Sequence, residues 1–340
     1  MTMADKERKQ LNRFVKRTLL ACLPLLAIVV AYIAIDPFNV IWKFNPMDKV
    51  AEKSEPFNRS RLAVEAYLDN RDTIGYNAFL FGSSRTIYYS VNEWKRHLPD
   101  DAVCFHFDAA WETLEGMLDK MDLIKAKGDR IKYAILEFHA DQFADTAHAE
   151  IPYRQDFRLR HSENVFAYHF RHFMSALNTD FLKVYIPYLF TGKMEDTEEN
   201  KVFESPMRGY DPVKNELDYR NFDDEIDTDS TAYFKKHSRH YQKASVDSVV
   251  PRMSDERIAL LREMRRRLDA DSTDYRVILG PSFYRHVNNS TDVALLRRIF
   301  GVKNVYDFQH LGVESQSNFY DNIHYRYFIA DSIMTMVYGK

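Results

Sequence analysis

Three side chains that are far apart in the chain have the types and spacing for nucleophilic chemistry. Ser84 lies in Phe-Gly-Ser-Ser-Arg-Thr (residues 81–86), directly after an apolar stretch, and Asp321 and His324 form an Asp-x-x-His motif near the C-terminus. A serine hydroxyl is a weak nucleophile until a histidine takes its proton and a carboxylate orients that histidine. Each motif alone is also common as ordinary structure. Their order and flanking elements together predict acyl transfer by a Ser84–His324–Asp321 triad.

Alternating strands and helices are predicted to position these motifs. Apolar stretches predict strands, and apolar residues at helical spacing predict helices, at the following residues: strands 78–81, 102–107, 133–138, 275–279 and 304–308; helices 61–69, 91–97, 112–127, 255–268, 291–300 and 327–338. Strands separated by helices predict a parallel sheet with helices on both faces. Active sites of such sheets lie at the carboxyl ends of the strands. The residues expected at that edge are Ser84, Ala109, His139, Ser282 and Asp321.

Residues 147–253 break this alternation and are interpreted as an insertion over the active-site edge. They contain a predicted aromatic helix (161–177), an apolar stretch (181–190) and an acidic loop (218–229). A solvated charged loop is the main interpretation of the acidic residues. Calcium binding is the alternative, although the loop lacks the spaced oxygens and turn glycine of known calcium loops.

The composition limits the classes of function. A chain of 340 residues with 45% apolar residues is long enough for one large domain or two small ones. Its net charge of −3 argues against a nucleic-acid partner. Cys22 lies in an apolar run, so it is not expected to form a disulfide with Cys104. Among His106, His139 and His286, no pair has ligand spacing on one element, and no metal or cofactor is predicted.

The N-terminus predicts a membrane anchor. Residues 18–35 are almost entirely apolar, close to the roughly 20 residues that a membrane-spanning helix needs. Lysines and arginines dominate the preceding residues, which by the positive-inside rule places residues 1–17 in the cytoplasm. The predicted organisation is a transmembrane anchor at 18–36, a juxtamembrane connector at 37–71 and an extracytoplasmic domain at 72–340. The expected location is the cytoplasmic (inner) membrane, single-pass, with the bilayer bound through residues 18–35.

Three alternatives to the anchor remain. A cleaved signal peptide would need small residues at its cleavage site, but the end of this run has Tyr32, Ile33 and Ile35. The stretch before Cys22 resembles a lipoprotein cleavage box, but most of the apolar run follows that cysteine. A buried helix of a soluble domain is disfavoured by the basic residues before the run.

The motifs resemble a known family. The segment around Ser84 resembles the first block of the SGNH (GDSL-type) hydrolases, with Ser83 in place of the usual acid, and Asp321-Asn322-Ile323-His324 resembles their last block. Together with the anchor, the Gly-Ser-Ser variant is most similar to the membrane-anchored branch. That branch includes the D-alanine transfer protein of lipoteichoic acid synthesis and the alginate O-acetylation proteins. The resemblance covers about residues 78–143 and 275–340 and leaves the insertion outside.

The resemblance implies a fold, an activity and partners. The implied fold is a three-layer α/β/α, flavodoxin-like parallel sheet. The implied activity is that of a serine esterase or O-acyltransferase acting on a cell-envelope glycan, with Ser84 as nucleophile, His324 as base and Asp321 orienting it. Backbone amides of Ser84, Ala109 and Ala110 would bind the oxyanion. A membrane-bound O-acyltransferase is the implied partner, and a glycan or acyl carrier is the implied substrate.

Two departures from the family pattern favour a second hypothesis. The strand at 133–138 is followed by His139 and Gln142, and the asparagine that usually supplies an oxyanion donor is missing. An alanine stands where the second block usually has a glycine. Losing one such donor typically costs about 100- to 1000-fold in rate. The alternative is therefore a non-catalytic accessory protein that binds polymer or carrier for an acyltransferase.

Overall fold

The computed structural model describes residues 3–42, 59–143, 164–191, 207–238 and 246–339. The chain divides into two compact units. We call residues 1–43 with 164–200 the helical unit, and residues 44–163 with 201–340 the α/β unit. The division assigns part of the predicted insertion to the same unit as the N-terminal helix.

The strands and helices are as follows. The strands are β1 (Ala78–Phe81), β2 (Cys104–His106), β3 (Tyr133–Phe138), β4 (Gly209–Asp211), β5 (Glu216–Asp218), β6 (Ser248–Val249), β7 (Asp274–Leu279), β8 (His286–Val287) and β9 (Val305–Asp307). The α-helices are α1 (Met3–Ile35), α2 (Arg59–Ile74), α3 (Val91–Arg96), α4 (Leu114–Ala126), α5 (Val165–Ala176), α6 (Thr179–Thr191), α7 (Arg220–Lys236), α8 (Asp255–Ala270), α9 (Ser290–Phe300) and α10 (Tyr327–Tyr338).

The α/β unit is built on a five-stranded parallel sheet in the order β2-β1-β3-β7-β9. In this register Leu80 of β1 lies beside Ile135 of β3, and Leu136 lies beside Val277 of β7. All residues of β1 and β3 are buried, as expected for central parallel strands that are covered on both faces. The predicted α/β architecture with a parallel central sheet is confirmed.

Alternate side chains of these strands enter two apolar cores, one on each face of the sheet. Phe79 and Phe81 pack into the core formed with α2, α4, α8 and α9. Ala78 and Leu80 pack into the core formed with α3, α7 and α10. Helix α2 begins within the predicted connector, yet Ala63, Val64, Ala66 and Tyr67 belong to the first core and Leu62 to the second, so α2 is part of the α/β unit.

The acidic stretch at 218–229 differs from the predicted loop, because most of it forms α7. Asp223 and Asp227 lie one helical turn apart and both accept hydrogen bonds from Arg326, at 2.5 and 2.7 Å. A cation on another element thus stabilises the two carboxylates in a helix. Local sequence could not show this, because Arg326 lies about a hundred residues further along the chain.

The helical unit contains α1, α5 and α6. Gln10–Ile35 of α1 is long and apolar enough to cross a membrane, and its side chains are largely exposed. Asp36 ends α1, and its carboxylate accepts hydrogen bonds from the amides of Val40, Ile41 and Trp42 at 2.8 to 2.9 Å. The structure thus contains the apolar N-terminal helix that the sequence predicted.

Candidate functional site

Ser84 stands at the carboxyl end of a central strand. It opens a short 3₁₀ helix, Ser84–Tyr88, that follows β1 after only Gly82 and Ser83. Gly82 is required here, because a Cβ atom at this position would collide with Thr86 and lie 3.0 Å from the Glu137 carbonyl oxygen. The Thr86 hydroxyl donates to the Ser83 carbonyl at 2.7 Å and lies 3.1 Å from Nε2 of buried His106. Strand and turn therefore hold the serine rigidly.

The Asp-x-x-His motif forms a turn that orients the histidine locally. Asp321 Oδ1 accepts hydrogen bonds from the backbone amides of Ile323 and His324, both at 2.8 Å. Its other oxygen, Oδ2, lies 2.7 Å from His324 Nδ1. One carboxylate therefore fixes both the backbone and the imidazole of this turn.

The turn is attached to the loop after β7. The Ser282 hydroxyl and the Tyr284 amide both donate to the Asn322 carbonyl, at 3.2 and 3.0 Å. The Tyr320 amide also donates to the His324 carbonyl at 2.8 Å. These bonds fix the turn at the same edge of the sheet as Ser84.

The structure brings the three predicted triad residues together. Ser84 Oγ lies 2.9 Å from His324 Nε2, although 240 positions separate them in the chain. With Nδ1–H donating to Asp321 Oδ2, Nε2 has a lone pair that can accept the Ser84 hydroxyl proton. The His324 and Asp321 side chains are 21% and 31% exposed, so the triad can be reached from solvent.

The electrostatics keep Asp321 ionised. Burial acts to raise its pKa, but the charge of His324 and the hydrogen bonds from His324 and Ile323 outweigh this effect. The pKa of Asp321 is therefore lower than the ordinary value of an aspartate. An ionised carboxylate at this position stabilises the imidazolium that forms when His324 takes a proton.

Tyr88 forms one wall of the site. Its ring centroid lies 5.8 Å from that of His324 and 5.0 Å from that of Tyr320. Burial first, and then the charge of Asp321, raise the pKa of Tyr88 well above its ordinary value. Tyr88 is therefore a neutral packing partner that limits the rotation of the imidazole.

The three predicted oxyanion donors differ in their availability. The Ala109 amide donates to the Gly82 carbonyl at 3.3 Å, which extends the pairing of β1 and β2 and counts against Ala109 as a donor. Ser84 is the first residue of its 3₁₀ helix, where an amide has no partner within the helix. Ala110 follows Ala109 in the same buried loop. Ser84 and Ala110 remain the better candidates.

Gln142, which follows strand β3 where the family has its asparagine, has both polar side-chain atoms bonded elsewhere. Its Oε1 accepts from the His139 amide and its Nε2 donates to the Glu112 carbonyl, both at 3.0 Å. The side chain joins the loops that follow β3 and β2. It is thus a structural link, which counts against it as an oxyanion donor.

Sequence reasoning missed a buried carboxyl group beside the site. Glu137 in β3 is completely buried, and within the described residues neither carboxyl oxygen has a hydrogen-bond partner. Its Oε1 occupies the space where a Cβ of Gly280 would stand. Burial raises the pKa of Glu137 to about 7, although Arg85 acts to lower it. Only its position in an otherwise apolar strand, Tyr-Ala-Ile-Leu-Glu-Phe, hinted at this environment.

A second polar cluster next to Ser84 was also missed. Asp141 contacts His286 Nδ1 and lies 3.7 Å from the Arg85 guanidinium. Burial acts to raise the pKa of Asp141, but the hydrogen bond from His286 and the charges of His139 and Arg85 lower it on balance. Arg85 thus has an acidic partner, and the cluster links the segments that follow β1 and β3 to strand β8.

Comparisons with known proteins identify no relative. No protein-family model matches the chain, and no curated protein matches it significantly. Among the described residues there is no group of three or more metal-ligating side chains that could hold a metal ion. The functional argument therefore rests on the geometry of the site.

Proposed function

We propose that this protein is a membrane-anchored acyl esterase or O-acyltransferase that uses a Ser84–His324–Asp321 triad. The observation that carries the proposal is the continuous contact from Ser84 Oγ to His324 Nε2 (2.9 Å) and from His324 Nδ1 to Asp321 Oδ2 (2.7 Å). A nucleophile, a base within hydrogen-bond reach and a group that orients the base are the signature of an activated serine.

The sheet topology supports an SGNH-like fold for this enzyme. The main-sheet strands, numbered in their order along the chain, are arranged 2-1-3-4-5, which is the flavodoxin-like order of doubly wound folds. In such sheets ligands bind outside the carboxyl ends of the strands. Ser84 follows the carboxyl end of β1 after two residues, so its hydroxyl lies at the edge of the sheet where a substrate is expected to bind.

The reaction proceeds in two steps that restore the serine. Ser84 Oγ attacks the acyl carbonyl while His324 Nε2 takes the hydroxyl proton, and His324 then gives that proton to the departing donor group. A water or an acceptor hydroxyl next attacks the acyl-serine as His324 removes its proton. The Ser84 oxygen leaves the acyl group and is reprotonated by His324. Water yields hydrolysis, whereas a sugar hydroxyl yields transfer.

A cell-envelope glycan is the proposed acceptor. Trp111, in the loop after β2, is 41% exposed and has a positive φ of 56°. Bulky residues rarely adopt this backbone conformation, and such outliers cluster at functional sites. An exposed indole in a loop that contacts Gly82 through Ala109 is suited to stack on a sugar ring. A membrane-bound O-acyltransferase remains the proposed source of the acyl group.

The proposed topology follows from α1. The apolar run at 18–35 lies in the helix that could cross a membrane, and basic residues precede it. The cytoplasmic side would then hold residues 1–17, and the α/β unit would lie outside. The enzyme would then meet its glycan on the outer side of the cytoplasmic membrane.

Covalent labelling tests the proposal. The full chain in detergent is treated with a fluorophosphonate or an activated aryl acetate and examined by intact-mass spectrometry and peptide mapping. An adduct on Ser84 that disappears in Ser84→Ala and His324→Gln, but persists in Ser83→Ala, is the expected result. Ser83 is the matched control because it is a neighbouring serine that is buried.

The second candidate function is a non-catalytic accessory protein. The observation that favours it is the poor oxyanion site, since Gln142 is engaged and the Ala109 amide already has a partner. Absence of any adduct on Ser84, together with unchanged glycan acylation in cells that carry Ser84→Ala, would support this candidate and refute the first.

A further inference from the structure

Helix α5 exposes its most apolar face. Phe166, Phe170, Met174 and Leu177 follow one another at spacings of four, four and three residues, which places them on one side of the helix. Phe166 is 81% and Phe170 63% exposed. This stripe contains no polar side chain.

The opposite face of α5 is more polar than the exposed one. Tyr168 and His172 are both completely buried, and His172 Nδ1 lies 2.8 Å from the Tyr168 carbonyl oxygen. A helix on the surface of a water-soluble protein has the reverse arrangement, with apolar residues inside and polar residues outside. The arrangement in α5 suits an apolar solvent.

Helix α6 continues the apolar surface. Ile186, Leu189 and Phe190 are exposed at helical spacing, and Phe190 is 86% exposed. Phe181 and Tyr185 form the buried side. The two helices are joined by a short turn after Leu177. We call seven exposed apolar residues of α5, α6 and the turn between them the hairpin stripe: Phe166, Phe170, Met174, Leu177, Ile186, Leu189 and Phe190.

The hairpin packs against the C-terminal end of α1. The rings of Tyr32 and Phe173 meet at 5.3 Å, and those of Phe38 and Phe181 at 4.9 Å. Trp42 lies beside the same end, and its indole N–H donates to the Ile33 carbonyl at 2.6 Å. The hairpin stripe therefore adjoins the exposed apolar surface of α1 at the level where α1 ends. Tryptophan and tyrosine are enriched at that level of membrane proteins.

The lengths of the helices decide how they can meet a bilayer. α5 and α6 contain 12 and 13 residues, whereas a membrane-spanning helix needs about 20. Apolar helices of this shorter length that are not buried in a core are typical of interfacial or re-entrant segments. Neither helix can cross, but both can lie within one leaflet.

We propose that the α5–α6 hairpin is a lipid-binding element that inserts the hairpin stripe into the leaflet at the C-terminal end of α1. The hairpin stripe contacts the glycerol and upper acyl-chain region of that bilayer. A second copy of the chain or another membrane protein would fit less well, because the stripe continues a surface of α1 that is itself suited to lipid. The proposal depends on α1 spanning the membrane and is independent of the acyl chemistry.

Site-directed spin labelling tests this proposal on the full chain. In a Cys22→Ala background, in which the remaining Cys104 is buried, a nitroxide is attached to Phe170→Cys or Phe190→Cys. Leu26→Cys, in the middle of the apolar run of α1, is the lipid reference. Val302→Cys, on an apolar residue of the α/β unit that is 72% exposed, is the water reference. All variants are reconstituted in phosphatidylcholine vesicles that contain some phosphatidylglycerol.

Collision rates with oxygen and with a water-soluble nickel chelate then distinguish the environments. We expect both hairpin sites to show high oxygen access and nickel access several-fold lower than at Val302. Nickel access equal to that of Val302 would place the stripe in water and overturn the proposal. Low access to both reagents would mean that protein covers the stripe, which also overturns it. Nickel access at Leu26 as high as at Val302 would show that α1 does not span the bilayer, and this result would also overturn the proposal.

Discussion

The buried carboxyl of Glu137 should make the α/β unit less stable as the pH rises. Its pKa is raised from 4.5 to about 7 by burial, so the native state holds this proton more tightly than the unfolded state. The stabilisation that this proton gives to the native state is complete below pH 4.5 and is lost as the pH rises through about 7. Both states are ionised above that pH, and the native state then carries a buried charge to which no described residue donates a hydrogen bond.

The size of the effect follows from the pKa difference. At 1.36 kcal/mol per pKa unit, a difference of about 2.5 corresponds to ~3 kcal/mol in total, of which about 2.5 kcal/mol falls between pH 5 and pH 8. Glu137→Gln keeps the shape and removes the titration. The free energy of unfolding of the variant, relative to the wild type, should therefore rise by about 2.5 kcal/mol between pH 5 and pH 8. The Gln side chain also changes the free energy of unfolding by an amount that does not depend on pH. This amount cancels when the difference between variant and wild type is compared at the two pH values.

Fluorescence of buried Trp94, whose indole N–H donates to Tyr338 in the α/β core, reports the unfolding of the full chain in detergent. The matched control is Glu263→Gln. Hydrogen bonding from Arg266 is the largest effect on the pKa of Glu263. Burial opposes it, but the charge and hydrogen bond of Arg267 add to it, and the pKa falls to about 2. Its contribution is complete above about pH 5, so its profile should run parallel to the wild type from pH 5 to pH 8. A Glu137→Gln profile that is also parallel would refute the reasoning.

Three further predictions test the site and its supports. Asp321→Asn should slow adduct formation on Ser84 by roughly 10³- to 10⁴-fold because the amide favours the wrong imidazole tautomer; an unchanged rate would remove Asp321 from the mechanism. Lys120→Met leaves its buried partner Glu112 without a counter-charge and should cost about 3–5 kcal/mol in denaturant unfolding. The further change Glu112→Leu should recover most of this loss, and no recovery would contradict the pairing. Gly280→Ala places a methyl group against Glu137 and should cost about 1–3 kcal/mol. Gly209→Ala, where no atom of the described residues lies within 4 Å of the added methyl group, is its control and should change stability by less than about 0.5 kcal/mol.

Much of the α/β unit was predictable because its signals are local. The strand Tyr133–Phe138 and the helix Tyr327–Tyr338 have the predicted bounds, since a short apolar run and a strong helical spacing mark them within a few residues. Ser84 was located in the same way, from an apolar strand that runs into small residues.

The features that were missed depend on distant parts of the chain. The Glu137 carboxyl group fits beside Gly280, the residue that directly follows the neighbouring strand β7, because a Cβ atom at this position would occupy the place of its Oε1. The acidic residues of α7 lie on a helix that buries Ile226 and Tyr233 in the second core, and Arg326 binds two of the acids. In both cases the partner lies far away in sequence, and no local pattern identifies it.

The candidate site combines a contact within one short motif with a contact between distant segments of the chain. The motifs alone could predict the first contact but not the second. The Asp321–His324 pair is set by one turn, in which a single carboxylate accepts two backbone amides and contacts the imidazole. A four-residue motif is enough to indicate that geometry. The contact from Ser84 to His324 spans 240 positions and requires the end of β1 and the loop after β7 to meet at one edge of the sheet. The orientation of the base is therefore a property of the motif, whereas the activation of the nucleophile is a property of the whole α/β fold.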